Sequence, residues 1–151
     1  MIVLDTNVLS ELMRRQPEPA VVDWLDAQPA EAIHITSVTL FETRFGLAAL
    51  NPGRHRSDLQ DRFEDLLRSE LAGRVLGFDQ LAADHAASLA ADRKNSGRTV
   101  DMRDTFIAGI VMSHGAILAT RNTRHFANLP VPVINPWQPR KPEPGTRKPQ
   151  K

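Results

Sequence analysis

The chain has 151 residues, of which 41% are apolar, which favours one globular domain with a sizeable core. It has no cysteine, so disulfides, thiolate metal sites and thiol catalysis are excluded. The net charge of +1 is unevenly distributed: residues 138–151 carry five Lys or Arg and one Glu, which leaves residues 1–137 at −3. An acidic body is atypical of a protein that binds nucleic acid by charge alone, and it favours a carboxylate cluster that a cation neutralises.

Neither a targeting segment nor a membrane segment is predicted. The apolar start of the chain is short, has no basic residue before it and ends on Asp5, unlike a signal peptide. The longest uncharged run, residues 105–120, is shorter than a membrane-spanning helix. We therefore expect a soluble, cytoplasmic protein. Four prolines and scattered charges in residues 138–151 predict a flexible tail after a domain at residues 1–137.

Short apolar segments alternate with amphipathic segments along the chain. The apolar segments predict buried strands at residues 1–5, 32–36, 74–78, 117–120 and 131–134. Apolar residues spaced by three and four predict helices at residues 6–15, 20–27, 38–50, 57–72, 79–96 and 101–114, with N-caps at Thr6 or Asn7, Ser37 and Asp79. This alternation predicts βαβ units and a parallel sheet covered by helices on both faces.

Three acidic residues lie where such a fold brings strand ends and helix starts together. Asp5 ends the first strand, Glu42 lies early in the third helix, and Asp104 lies in the first turn of the last helix. Each acid alone has a structural explanation, because acids complement the helix dipole and Asp5 could cap the first helix. Two carboxylates about 4 Å apart repel by about 4 kcal/mol at an effective dielectric of roughly 20. Their convergence therefore predicts a hard divalent cation such as Mg²⁺ or Mn²⁺.

Five segments of the chain resemble the PIN-domain ribonucleases of the VapC/FitB toxin type, and the resemblance spans residues 1–137. In order, they are residues 2–7, 37–42, 104–108, 119–122 and 135–137. The resemblance implies a Rossmann-like, three-layer α/β sandwich with a central, mostly parallel sheet of four to five strands. It also implies Mg²⁺- or Mn²⁺-dependent cleavage of RNA by the toxin of a toxin–antitoxin pair.

The resemblance also implies roles for individual residues. It implies catalytic carboxylates at Asp5, Glu42 and Asp104, with Asp5 and Asp104 as the metal ligands. It implies that four small polar residues contact the substrate or orient the acids, and these are Thr6, Asn7, Thr120 and Asn122. Attack of water on phosphorus should leave 5′-phosphate and 3′-hydroxyl ends.

The chain departs from the family's pattern near the end of the fourth strand. The family usually carries a fourth acid at the position of Asn122 or three residues later, where this chain has His125. An amide and an imidazole lower the negative charge, so we predict one intact metal position and a second that is weak or filled only with substrate present. Asp101, three residues before Asp104, either restores part of this charge or caps the helix.

The resemblance further implies a cognate VapB-like antitoxin that lies across the acidic groove and a homodimer, alone or as a dimer of toxin–antitoxin pairs. We predict a dimer surface around Phe41, Phe45, Leu47 and Leu50 with the helix at 57–72, and a monomer core is the rival use of these residues. Five arginines either line an RNA groove or lie on solvated helix ends: Arg14, Arg15, Arg44, Arg121 and Arg124.

Two alternatives remain open from the sequence. A catalytically weakened PIN-like protein would bind RNA or a partner without cleavage, because the fourth acid is missing. A phosphatase or a phospho-acceptor receiver domain would also place an Asp at a strand end. The phosphatase needs a second Asp where Asn7 lies, and the receiver needs a strand-end Lys, whereas Lys94 lies in a predicted helix.

Overall fold

The computed structural model describes residues 1–138, and its centre is one five-stranded sheet. The strands are β1 (Ile2–Leu4), β2 (Ile33–Thr36), β3 (Val75–Leu76), β4 (Ile117–Ala119) and β5 (Val133–Ile134). Every pairing is parallel, and the order across the sheet is β3-β2-β1-β4-β5. The predicted parallel sheet of four to five strands is confirmed, with β1 as its central strand.

Helices connect the strands. They are α1 (Thr6–Leu12), α2 (Pro19–Asp26), α3 (Ser37–Ala48), α4 (Arg54–Asp65), α5 (Gln80–Asn95) and α6 (Met102–Ser113). The single helix predicted at residues 57–72 is instead α4 followed by a π-helical turn at Leu66–Glu70. A 3₁₀ turn at Thr123–Phe126, which the sequence pattern does not predict, follows β4.

Alternate residues of β1 face opposite sides of the sheet, which gives the fold its three layers. Ile2 and Leu4 belong to one buried cluster with residues of α1, α2, α3 and α4. Val3 belongs to a second cluster with Ile107 and Val111 of α6. The three-layer arrangement of helix, sheet and helix is therefore confirmed.

The strand ends themselves begin the following helices. Asp5 caps α1 with an extended backbone (ψ 161°), and Thr36 caps α3 in the same way (ψ 160°). The caps predicted at Thr6 or Asn7 and at Ser37 are wrong. The polar residue at the end of each strand, Asp5 or Thr36, already accepts a hydrogen bond from the first free N–H groups of the helix. Asp79 caps α5, as the sequence predicts.

The predicted dimer surface is largely core. Leu47 is 7% exposed and belongs to the first buried cluster, and Phe63 of α4 is fully buried beside it. Leu50 also packs against this cluster. Among the large apolar side chains of the predicted set, only Phe41 and Phe45 are exposed, because α3 turns Leu47 towards the sheet and these two rings away from it.

Within residues 1–138, no helix is long and apolar enough to cross a bilayer. The tail predicted at residues 138–151 lies outside the described residues except for Gln138. The domain boundary after residue 137 stays a prediction.

Candidate active site

Asp5 lies at the carboxyl end of the central strand and is only 4% exposed. Its Oδ1 accepts a hydrogen bond from the backbone N–H of Thr6 at 2.8 Å. Its Oδ2 accepts from the Thr120 hydroxyl at 2.8 Å and from the Asn7 amide at 3.3 Å. Asp5 is therefore both the cap of α1 and a carboxylate held in one orientation at the sheet edge where ligands bind in open α/β folds.

The chain after β4 is tied to the start of α1 by the polar residues predicted around Asp5. The Thr120 hydroxyl accepts from the backbone N–H of Asn122 at 3.0 Å. The Asn7 side chain donates to the same hydroxyl at 3.3 Å and accepts from the backbone N–H of Arg121 at 3.1 Å. Asn122 thus joins this network through its backbone, and Asn7 and Thr120 join it through their side chains.

Glu42 faces Asp5 from the second turn of α3, and its side chain is 18% exposed. Its Oε1 accepts from the Thr6 hydroxyl at 2.9 Å. Its Oε2 lies 3.5 Å from Nη1 of Arg103. Sequence reasoning missed Arg103, because an ion pair between α3 and α6 leaves no local signal in the chain.

Asp104 lies in the first turn of α6, and its side chain is 22% exposed. Its Oδ2 is 2.9 Å from Nδ1 of His125, which the 3₁₀ turn at Thr123–Phe126 carries. Asp101 caps α6, since its Oδ1 accepts from the Asp104 backbone N–H at 3.0 Å. Of the two uses that the sequence leaves open for Asp101, the structure shows the helix cap.

The three carboxylates affect one another electrostatically. Burial raises the pKa of Asp5 above its ordinary value, and the negative charges of Asp104 and Glu42 raise it further. The hydrogen bonds from the Thr120 hydroxyl and the Thr6 backbone act in the opposite direction. We call Asp5, Glu42 and Asp104 the acidic site, because their charges converge at one edge of the sheet.

The donor set of the acidic site fits a hard divalent cation. Carboxylate and hydroxyl oxygens are the ligands that Mg²⁺ and Mn²⁺ prefer. Yet no three acids or histidines within residues 1–138 already stand as a metal-binding cluster. In the structure, Glu42 contacts Arg103 and Asp104 contacts His125.

Two concave surfaces flank the acidic site. A groove of about 940 Å³ starts at Thr6 and Glu42 and runs between α1, α3 and α4. A smaller pocket of about 360 Å³ lies beside Asp104, between the end of α5, the start of α6 and the 3₁₀ turn. We call the first the long groove and the second the Asp104 pocket.

The five arginines for which the sequence allows either an RNA groove or a solvated helix end are not equivalent. Arg14 and Arg15 line the long groove, but each lies near an acid. Nη1 of Arg14 is 3.2 Å from Oε2 of Glu11, and Nη2 of Arg15 is 3.7 Å from Oδ2 of Asp58. Arg124 lines the Asp104 pocket. The other two are engaged elsewhere: Arg44 pairs with Glu64 at 2.6 Å, and Arg121 lies 4.9 Å from the ring centroid of Trp137.

The chain belongs to the PIN-domain family, whose model matches residues 2–131. It is 45% identical to VapC ribonuclease Y4jK of Sinorhizobium fredii, over 92% of this chain and 99% of that protein. It is 38% identical to toxin FitB of Neisseria gonorrhoeae, over 91% of this chain and 99% of the relative. The solved structure of FitAB bound to an IR36 DNA fragment has a TM-score of 0.82 and 38% identity, and covers 91% of this chain and 96% of that one.

Proposed function

We propose that this protein is the ribonuclease toxin of a toxin–antitoxin pair and that its acidic site hydrolyses RNA phosphodiester bonds. The observation that carries the proposal is the convergence of Asp5, Glu42 and Asp104 at one sheet edge, close enough for their charges to act on the buried Asp5. The similarity to proteins named VapC ribonuclease and toxin FitB supports both the reaction and the toxin role. We also propose a cytoplasmic location, because the proposed substrate is cellular RNA.

Mg²⁺, with Mn²⁺ as a substitute, is the cation we propose, and Asp5 and Asp104 are the residues that would hold it. When bound, such a cation lowers the pKa of water and balances charge on the scissile phosphate. Because Asn122 and His125 stand where the family usually has an acid, we propose one strong metal position.

The chain's own residues have distinct roles in this proposal. Thr120 and Asn7 fix the orientation of Asp5 through its Oδ2. Thr6 positions Glu42, whose partly exposed carboxylate can orient the attacking water and accept its proton. In-line displacement of the 3′-oxygen then leaves a 5′-phosphate and a 3′-hydroxyl end.

The test is RNA cleavage by Asp5→Asn and Asp104→Asn in Mg²⁺. We expect each variant to lose at least about 100-fold in rate. Asp61→Asn, which changes an exposed acid of α4, is the matched control and should cleave like the wild type. Chelation of the metal should stop wild-type cleavage, and Mg²⁺ should restore it.

Unchanged cleavage in either acidic-site variant would contradict the assignment. A wild-type protein that binds RNA but does not cleave it in Mg²⁺ or Mn²⁺ would favour the catalytically weakened PIN-like protein instead.

A cognate VapB-like antitoxin is the protein partner we propose, and the long groove is its docking surface. The groove opens at Thr6 and Glu42, so a segment lying in it can reach the acidic site with an arginine. On its floor, the Thr43 hydroxyl is buried without a hydrogen-bond partner among the described residues. The DNA-bound FitAB structure supports a complex of this kind that also binds DNA.

We also propose a homodimer that buries Phe41 and Phe45 of α3. These side chains are 58% and 56% exposed, and their rings stack with centroids 5.9 Å apart. Two stacked aromatic rings in water are typical of an interaction surface.

A further inference from the structure

We propose that the Asp104 pocket binds a phosphate of the RNA strand next to the scissile one, with Arg98 and Arg124 as its ligands. This inference rests on the proposed function, since it assigns the substrate's path beyond the acidic site. The pocket shares Asp104 with that site. A phosphate held there therefore belongs to the same strand as the phosphodiester at the carboxylates.

The charge of the pocket suits a phosphate. Its lining contains three arginines, at Arg93, Arg98 and Arg124. Its two acids are Asp101 and Asp104, so the arginines of the pocket outnumber its acids by one. Neither Arg98 nor Arg124 has a carboxylate within ion-pair distance among residues 1–138, so both guanidinium groups are available to an anion.

The guanidinium group of Arg98 is oriented before any ligand binds. In the amide orientation that satisfies both side chains, the Asn128 oxygen accepts from the two terminal nitrogens of Arg98 at 3.1 and 3.3 Å. Asn128 has a φ of 68°, a left-handed backbone that asparagine tolerates better than most residues. A guanidinium oriented before binding loses less conformational entropy when it grips a phosphate.

The turn that carries Arg124 is also fixed. Arg93 is only 9% exposed, and its Nη2 donates to the backbone carbonyl of His125 at 2.7 Å. This partly buried bond joins α5 to the 3₁₀ turn and so sets the position of Arg124 relative to Asp104. Arg93 is thus a positioning residue, whereas Arg98 and Arg124 are the proposed phosphate ligands.

The long groove is the less suitable path for the strand. Of its four arginines, Arg14 and Arg15 lie beside Glu11 and Asp58, and Arg62 donates to the Met13 carbonyl at 3.0 Å. Among residues 1–138, Arg54 alone of these four has no such partner. A phosphate in the long groove would therefore meet one arginine without a partner, whereas in the Asp104 pocket it would meet two arginines without a carboxylate partner among the described residues, Arg98 and Arg124.

The experiment compares two double variants that each remove two positive charges. Arg98→Gln with Arg124→Gln removes the proposed ligands, and Arg44→Gln with Arg68→Gln removes two exposed arginines that pair with Glu64 and Asp65. Binding of a short, labelled, single-stranded oligoribonucleotide is measured in the Asp5→Asn background over a range of salt concentrations. Wild-type and variant cleavage of total RNA is measured alongside, and thermal unfolding checks that each variant is folded.

We expect the Arg98/Arg124 variant to bind the oligoribonucleotide about tenfold more weakly, because it cannot form the charge-assisted hydrogen bonds to phosphate. The slope of log affinity against log salt should become shallower by about 0.7 for each phosphate that the variant no longer neutralises. In cleavage, KM should rise more than kcat falls. The Arg44/Arg68 control should change neither the slope nor KM.

Equal losses of affinity in both double variants, or an unchanged salt slope in the Arg98/Arg124 variant, would overturn the pocket assignment. If wild-type protein cleaves RNA and the Arg98/Arg124 variant cleaves equally well at every substrate concentration, the pocket proposal alone fails. If the wild type neither binds nor cleaves RNA, the proposed function fails with it.

Discussion

At the scale of single residues, the buried charge of Asp5 opposes folding, whereas the proposed cation binding requires that charge. The residue is buried between negative charges, and its pKa is raised for that reason. The folded state therefore holds the proton of Asp5 more tightly than the unfolded chain does. Asp5 therefore makes its full contribution to the free energy of unfolding at a pH below its unfolded pKa of about 3.8. That contribution is lost as the pH rises through the folded pKa.

We predict that Asp5→Asn is more stable than the wild type at neutral pH without metal. The advantage should shrink as the pH falls towards about 4, because the wild-type carboxyl then becomes neutral as well. Urea denaturation in a metal chelator at several pH values measures the difference. Asp61→Asn should show no such trend, and an Asp5→Asn variant that is less stable at neutral pH would contradict the electrostatic account.

Excess Mg²⁺ should reverse this order. A cation that binds only the folded wild type adds about 2.7 kcal/mol at a concentration about 100 times its Kd. The side-chain amide of the Asp5→Asn variant offers no negative charge, so the variant should gain much less. The Asp5 carboxylate would then lower the free energy of unfolding of the metal-free protein and raise that of the metal-bound protein.

Part of the site can be predicted from the sequence, because its residues are neighbours along the chain. Asp5, Thr6 and Asn7 come directly after a buried strand, so their place at the sheet edge is predictable. The partners of Glu42 and Asp104 cannot be predicted in this way. Arg103 and His125 reach Glu42 and Asp104 across helix packing and through a 3₁₀ turn that has no apolar period.

At the scale of elements, the close packing of α5 against α6 sets the position of Asp104. Gly109 lies at the contact, and a Cβ there would clash with the carbonyl oxygen of Ala82 and approach the Ala86 Cβ to 2.8 Å. Only a residue without a side chain allows this approach. The sequence shows a glycine within an apolar helix but not which neighbour it faces, so this contact could not be predicted.

Gly109→Ala should destabilise the protein by about 1–3 kcal/mol, because α5 and α6 must move apart. Gly46→Ala in α3 is the matched control, since nothing lies within 4 Å of its added Cβ. It should stabilise the protein by about 0.5–1 kcal/mol through helix propensity. Urea denaturation of both variants measures the free energies of unfolding, and equal effects would show that the α5–α6 approach is not tight.

The sequence predicts strands more reliably than helix boundaries. The buried apolar runs mark β1, β2 and β4 to within one or two residues. The π-helical turn after α4 is not predictable, because Leu66 and Leu67 continue the helical apolar pattern through it. Helix ends depend on backbone geometry, whereas strand position depends on burial.

At the scale of the whole molecule, the exposed rings of α3 bear on assembly. Phe41→Ser with Phe45→Ser should convert a homodimer to monomer, because the apolar area that drives association is removed. Sedimentation velocity over a concentration range measures the change. Leu81→Ser removes a side chain that is 52% exposed on α5 and should leave the dimer intact. A dimer that survives the double substitution would place the interface elsewhere.

The order of the sheet has a consequence for synthesis of the protein. The central strand β1 is made first, but its neighbour β4 and the Thr120 hydroxyl that orients Asp5 come more than a hundred residues later. A nascent chain on the ribosome therefore lacks a complete acidic site until nearly all of the domain has emerged.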